Sequence, residues 1–128
     1  MNARPANVTE LPRFASIEQL IEKTKPVHPT YVIHPEKFRV AGQRFVESFP
    51  GDTLYAVKAN PHPYVLNQVW ASGIRHFDTA SLAEIELVHG LFPDAQCHFM
   101  APVRLPGAAK IAFEKHGVTD FVIDCDYM

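Results

Sequence analysis

Apolar residues recur every three or four positions in five stretches of the chain, the spacing of helices that bury one face. The first stretch begins at Ser16-Ile17-Glu18-Gln19, a capping box that predicts a helix N-terminus. The second carries Phe38, Ala41, Phe45 and Phe49 and ends at Pro50-Gly51-Asp52. The other predicted helices span residues 64–72, 81–92 and 108–116.

Short β-rich runs separate these helices. A run at residues 30–33 is bracketed by prolines and predicts one early strand. Later runs at residues 53–58, 75–78, 98–100 and 121–124 predict four strands that alternate with helices.

Glycines recur at regular intervals in this alternation of strands and helices. Gly51 and Gly73 lie 22 residues apart, and Gly117 follows after twice that interval. Each glycine suits the left-handed position just after a helix. Alternating strands and helices predict an α/β fold with a parallel sheet, either doubly wound or part of a (β/α)8 barrel.

Composition limits the functions to consider. The 128 residues have 47% hydrophobic content and a net charge of -2, which suits one globular domain. No basic block or long apolar run is present, so we expect neither a nucleic-acid partner nor a membrane span. The first residues lack the apolar segment of a signal peptide, so we expect a cytoplasmic protein.

Cysteines and histidines add little chemistry at this level. Cys97 and Cys125 lie in apolar, strand-like stretches, and we expect buried reduced thiols rather than a disulfide. Seven histidines show none of the spacings of known metal motifs, so we expect no metal site.

Lys58 is the residue most suggestive of catalysis. Alternation places Leu54, Ala56 and Lys58 on one face of a strand that Pro61 terminates. The carboxyl ends of parallel strands form the ligand-binding rim of α/β folds. Partial desolvation there would favour the free amine, which forms a Schiff base with an aldehyde. The alternative is a lysine that extends to solvent from the end of a strand.

Two blocks of sequence together resemble a known family. They are Tyr55-Ala56-Val57-Lys58-Ala59-Asn60 and the segment from Gly73 to Ile85, which contains Phe77-Asp78-Thr79-Ala80-Ser81. Both resemble the fold type III pyridoxal-phosphate decarboxylases of basic amino acids, the ornithine-type enzymes most closely. The resemblance implies that Lys58 holds pyridoxal 5'-phosphate covalently, that Ala56 lines the cofactor pocket and that Asp78 lies beside the Schiff base.

Physical reasoning agrees with the position of Asp78. Adjacent parallel strands lie ~5 Å apart, so a carboxylate at the end of the next strand can reach the Lys58 nitrogen or the cofactor. The alternative is an aspartate that bonds nearby loop amides.

Ser81 and Glu84 form a second capping box, for which we favour a structural role. The family usually has an Asn-Pro-Cys-Lys-like turn where this chain has Ala101-Pro102-Val103-Arg104, and the role of Arg104 stays open.

The resemblance implies a fold and an organisation. The expected fold is the N-terminal half of an alanine racemase-type (β/α)8 barrel, because a closed barrel needs ~250 residues. Residues 1–28 would form a leader with a short helix, and residues 29–50 a strand and helix linked to a C-terminal β-domain absent here. Residues 51–128 would begin the cofactor-binding barrel.

The resemblance also implies an activity, the decarboxylation of L-ornithine to putrescine in polyamine biosynthesis, by a homodimer when full length. The substrate would be a small basic amino acid. As an incomplete barrel, this chain would be inactive alone. Lysine or diaminopimelate decarboxylation and a non-catalytic binding relative remain alternatives.

Overall fold

The computed structural model describes residues 11–125, which divide between two compact units at residues 34 and 35. In the first unit, helix α1 spans Ile17–Thr24. The Ser16 hydroxyl accepts a hydrogen bond from the Gln19 amide at 3.2 Å, and the Gln19 side chain accepts one from the Ala15 amide at 2.9 Å. The predicted cap is confirmed, with the reciprocal bond one residue earlier than in the standard box.

The early strand predicted at residues 30–33 is wrong. These residues have no regular structure, and the Tyr31 side chain is almost fully exposed. A strand is stable only when a neighbouring strand pairs with it, and the flanking prolines remove backbone donors. No described strand pairs with this segment.

The second unit alternates helices and parallel strands, which confirms the α/β class. Its elements are α2 (Pro35–Ser48), β1 (Leu54–Ala56), a 3-10 turn (Val57–Ala59), α3 (Pro63–Ala71), β2 (His76–Thr79), α4 (Leu82–Leu91), β3 (Gln96–Phe99) and α5 (Ala108–His116). The three strands form one parallel sheet in the order β1-β2-β3. The predicted fourth strand is reduced to a parallel bridge between Phe99 and Phe121.

Local sequence signals set most helix ends. His62 caps α3 by accepting from the Tyr64 amide, and Pro63 occupies the first turn, where its missing donor costs nothing. Gly117 ends α5 in the left-handed region, as predicted. Gly51 does not adopt that conformation, because α2 already ends at Ser48 and the chain turns through Pro50.

The core lies between the sheet and its helices. Phe77 and Phe99, from neighbouring strands, are fully buried together with Leu66 of α3 and Ile85 of α4. Trp70 stacks on Phe92 with ring centroids 4.5 Å apart and planes within 1°. Burial of each such side chain stabilises the fold by about 1.5–3 kcal/mol, so this cluster holds the helices on one side of the sheet.

No described helix has the length and hydropathy to cross a membrane.

Two helical glycines, one in the middle of α2 and one in the last turn of α4, test this packing. A Cβ on Gly42 of α2 would lie 2.7 Å from the Ser72 Cβ and closer still to its hydroxyl, whereas a Cβ on Gly90 of α4 meets nothing within 4 Å. Ser72 is buried and donates to the Val69 carbonyl, so it has little room to move.

We expect Gly90→Ala to stabilise the protein by about 0.5–1 kcal/mol through helix propensity. We expect Gly42→Ala to destabilise it by about 1–3 kcal/mol through overpacking. Urea unfolding of both variants measures the difference. Equal stabilisation by the two substitutions would show that α2 does not pack closely on Ser72.

Candidate functional site

The sequence-predicted site residues come together at the carboxyl ends of β1 and β2. Ala56 and Asp78 are register partners in the parallel ladder, so they are neighbours on one face of the sheet. Lys58 follows two residues after Ala56, in a turn that contacts β2. The structure therefore brings the three positions to one edge.

The predicted strand position of Lys58 is wrong. Strand β1 ends at Ala56, and Lys58 lies in the 3-10 turn with its side chain exposed rather than partly desolvated. Strand β2 ends at Thr79, because Ser81 already caps α4, and in the register of the ladder Thr79 lies level with Val57, so Lys58 is beyond the end of its neighbouring strand. Val57, the residue before Lys58, is fully buried and anchors the turn.

Local hydrogen bonds hold the loop that carries Lys58. The Tyr55 hydroxyl donates to the Asn60 carbonyl at 3.3 Å, which folds the chain back after β1. Burial raises the pKa of Tyr55, so this hydroxyl keeps its proton. The Asn60 side chain accepts from the His62 amide at 3.1 Å. Hydrogen bonds between nearby residues therefore hold this loop up to the start of α3.

Asp78 belongs to the face of the sheet that points away from the core. Its neighbours in β2, Phe77 and Thr79, are fully buried, whereas Asp78 is half-buried like Ala56. None of the ion pairs among the described residues involves Lys58 or Asp78.

The structural roles predicted for Ser81 and Glu84 are confirmed. The Ser81 hydroxyl accepts from the Glu84 amide at 3.3 Å, and the Glu84 carboxylate accepts from the Ala80 amide at 2.7 Å. A carboxylate in the first turn also interacts favourably with the helix dipole. The cap fixes the loop that follows Asp78.

Arg104 has a structural position in this fold. Its guanidinium donates to the Ala101 carbonyl at 2.6 Å and to the Val122 carbonyl at 2.8 Å. It also lies over the Phe99 ring, 5.5 Å from the centroid. Arg104 therefore ties the loop after β3 to the next segment of the sheet.

Sequence reasoning missed a pair of histidines on the same face. His76 of β2 and His98 of β3 approach with Nδ1 and Nε2 2.9 Å apart. Their signal in the sequence is a separation of 22 residues, the interval already noted between glycines. Within residues 11–125, no cluster of three or more His, Cys, Asp or Glu could hold a metal ion.

The two cysteines differ in burial. Both are free thiols, as expected, and Cys97 is buried in β3. The expectation of a buried Cys125 is wrong, because pairing does not extend beyond the bridge at Phe121 and Cys125 is exposed. Burial raises the pKa of Cys97 to about 12.

The comparison with family models identifies the fold family. The model described as "Pyridoxal-dependent decarboxylase, pyridoxal binding domain" matches residues 36–128. The chain belongs to this family. Lys58, Ala56 and Asp78 all lie inside the matched region, and the domain's cofactor is pyridoxal phosphate. Comparisons with curated proteins and with solved structures gave no match.

Membership in the pyridoxal-dependent decarboxylase family agrees with the geometry of the sheet. Its strands follow chain order without a reversal, and the helices contact one another in the same order. The carboxyl ends of such strands are where α/β folds bind ligands. The exposed amine and the half-buried carboxylate described above are at this edge.

The thiols provide a pH-dependent test of the fold. The thiolate is the reactive form, and a pKa raised from 9.0 to about 12 leaves Cys97 about a thousandfold less ionised near neutral pH. We expect iodoacetamide near pH 8 to alkylate Cys125 rapidly, and Cys97 at least about a hundredfold more slowly until the protein is unfolded.

Peptide mass mapping over time measures both rates. The Cys125→Ser variant is the control, because it leaves Cys97 as the single thiol. As pH rises towards 12 we expect alkylation of Cys97 to accelerate. Rapid alkylation of Cys97 in the folded protein near pH 8 would contradict its burial.

Proposed function

We propose that this chain is the cofactor-binding part of a pyridoxal-phosphate-dependent decarboxylase of basic amino acids. The observation that carries the proposal is the exposed Lys58 in the turn directly after β1, two residues beyond the Ala56–Asp78 register pair. Both lie within the matched family domain.

The residues at this edge fit the chemistry of the cofactor. Lys58 provides a primary amine, the group that condenses with an aldehyde. Ala56 has a small side chain on the same face of the sheet as Asp78 and leaves room for a ring. Asp78 provides an anion that stabilises positive charge nearby. When bound, pyridoxal phosphate supplies the electron sink for loss of carbon dioxide.

Each of these side chains has a distinct task in the proposal. Lys58 anchors the cofactor and then accepts and returns a proton at its Nζ. The Asp78 carboxylate stabilises positive charge on the Lys58 nitrogen, on the side of the sheet opposite the core. The capping box of α4 holds the chain that follows Asp78, so that the carboxylate keeps its place.

The strand order supports a barrel as the complete fold. Three parallel strands in chain order occur both in a barrel and in one half of a doubly wound sheet, whereas a fourth strand beside the third is typical of a barrel. The bridge from Phe99 to Phe121 continues the order to the next segment. We therefore propose that residues 51–128 begin an alanine racemase-type (β/α)8 barrel.

L-Ornithine is the substrate that we favour. The pattern from Asp78 through Ala80-Ser81 to Glu84-Ile85 resembles ornithine-type enzymes more than diaminopimelate decarboxylases. The product would be putrescine. Assembly as a homodimer and a cytoplasmic location are parts of the proposal that rest on the resemblance.

Borohydride trapping tests the role of Lys58. The natural protein that carries this chain is incubated with stoichiometric pyridoxal phosphate, reduced, and analysed by intact mass and peptide mapping. We expect one pyridoxyl group, on Lys58, because this exposed lysine lies in the turn that follows the Ala56–Asp78 register pair. We expect Lys58→Ala to lose the adduct and Lys110→Ala, at an exposed lysine of α5, to retain it.

An adduct spread over several lysines, or one that survives in Lys58→Ala, would contradict this assignment. Release of carbon dioxide from carboxyl-labelled L-ornithine, L-lysine and diaminopimelate then identifies the substrate. Adduct formation without turnover of any of the three would favour a non-catalytic relative.

Asp78 has its own test. We expect Asp78→Asn to lower the yield of trapped adduct at subsaturating cofactor by about tenfold, the effect of removing about 1.4 kcal/mol of charge stabilisation. The control is Asp94→Asn, which removes an exposed carboxylate outside the site. Equal yields in the two variants would remove Asp78 from the cofactor site.

A further inference from the structure

Four titratable side chains come from four successive strand segments of the second unit. Asp52 precedes β1, His76 begins β2, His98 lies in β3, and Asp120 precedes the bridging Phe121. The intervals along the chain are 24, 22 and 22 residues. His76 shares a sheet face with Asp78, two residues later, and His98 is the register partner of Asp78. The two imidazoles therefore lie on the face opposite the core.

The two imidazole rings point nitrogen to nitrogen. His76 Nδ1 and His98 Nε2 are 2.9 Å apart, the ring centroids are 5.2 Å apart, and the planes differ by 29°. The centroid separation is close to the nitrogen distance plus the two ring radii, so both nitrogens lie near the line between the rings. This is the geometry of a nearly linear N–H···N hydrogen bond.

The same geometry disfavours a metal ion between the rings. Both lone pairs would have to converge on a point away from the line that joins the nitrogens. In the observed arrangement each nitrogen is directed at the other, so a proton can lie between them in a hydrogen bond. The contact therefore requires a proton on one of the two nitrogens and a lone pair on the other.

The outer nitrogens of both rings face carboxylates. His76 Nε2 lies 3.4 Å from Asp52 Oδ1, and His98 Nδ1 lies 3.5 Å from Asp120 Oδ2. The histidine side chains are 24% and 16% exposed and the aspartate side chains 74% and 59%, so each contact joins a shielded imidazole to a solvated carboxylate. A carboxylate at this distance favours a protonated nitrogen.

The number of protons on the two imidazole rings determines which charge state satisfies the inner hydrogen bond and both outer contacts. The inner bond takes one proton and the two outer contacts favour one each, which makes three protons on four ring nitrogens. Two neutral imidazoles carry two protons and two imidazoliums carry four. The favoured state is one imidazolium hydrogen-bonded to one neutral imidazole.

We propose that His76 and His98 act as a single proton-binding site that holds one positive charge between Asp52 and Asp120. A second proton can enter only by breaking the inner hydrogen bond, which leaves two cations in contact. The facing charged groups are Asp52, Asp120 and Asp78. The hydrogen bond between the two rings is a pH-sensitive link between β2 and β3. This proposal does not depend on the proposed function.

Nuclear magnetic resonance of histidine-labelled protein tests this directly. Long-range proton-nitrogen spectra distinguish protonated from unprotonated ring nitrogens, and would be recorded on the natural protein from about pH 5 to about pH 9. We expect three of the four nitrogens of His76 and His98 to be protonated near neutrality. We expect the pair to titrate in two steps separated by at least about one pH unit.

The chain offers a matched control pair. His89 and His116 have ring centroids 5.8 Å apart, without a hydrogen bond between their rings. Burial, with Lys115 and His89 nearby, lowers the pKa of His116. We expect the rings of His89 and His116 not to share a proton.

A variant tests the coupling. We expect His98→Gln to collapse the two steps of the pair into one step for His76, with a proton affinity changed by at least about tenfold. We expect His116→Gln to leave the His76 titration within about twofold of wild type. If His98→Gln does not fold, the wild-type spectra decide alone.

Two results would overturn the proposal. One is a wild-type pair that carries only two protons down to the acid end of the range. The other is a His76 titration in a single step that His98→Gln leaves unchanged.

Discussion

The alternation of side chains along β2 is the constraint on which the rest of the structure depends. Phe77 is fully buried against Trp70 and Phe92, with ring centroids 6.4 and 6.0 Å away. Because successive side chains of a strand point to opposite faces, burial of Phe77 directs His76 and Asp78 away from the core. A shift of one residue in β2 would bury a carboxylate and an imidazole and expose the phenylalanine.

The parallel ladder carries this constraint to the neighbouring strands. Asp78 pairs with Ala56 on one side and with His98 on the other, so one row of the sheet joins the candidate cofactor site to the histidine pair. Thr79 reinforces the row by donating to the His98 carbonyl at 2.8 Å. The two features that we propose, an anchor for the cofactor and a shared proton, therefore depend on the same packing.

Local sequence signals predicted most of the elements, because capping boxes and helical spacing act over a few residues. They predicted the ends of α5 and the roles of Ser81 and Glu84 correctly. They failed where the outcome depended on a distant partner. Strand β1 ends before Lys58 because β2 ends at Thr79, and residues 30–33 have no described strand to join. The contact between His76 and His98 requires the strand register, which spacing alone does not give.

The most direct test of the central claim is a crystal structure of the natural protein after incubation with pyridoxal phosphate and reduction with borohydride. The account predicts continuous density from Lys58 Nζ into the pyridoxyl group. It also predicts that the ring lies on the sheet face that carries Ala56 and Asp78, opposite Phe77. Density attached to another lysine, or a ring on the Phe77 side of the sheet, would contradict the account.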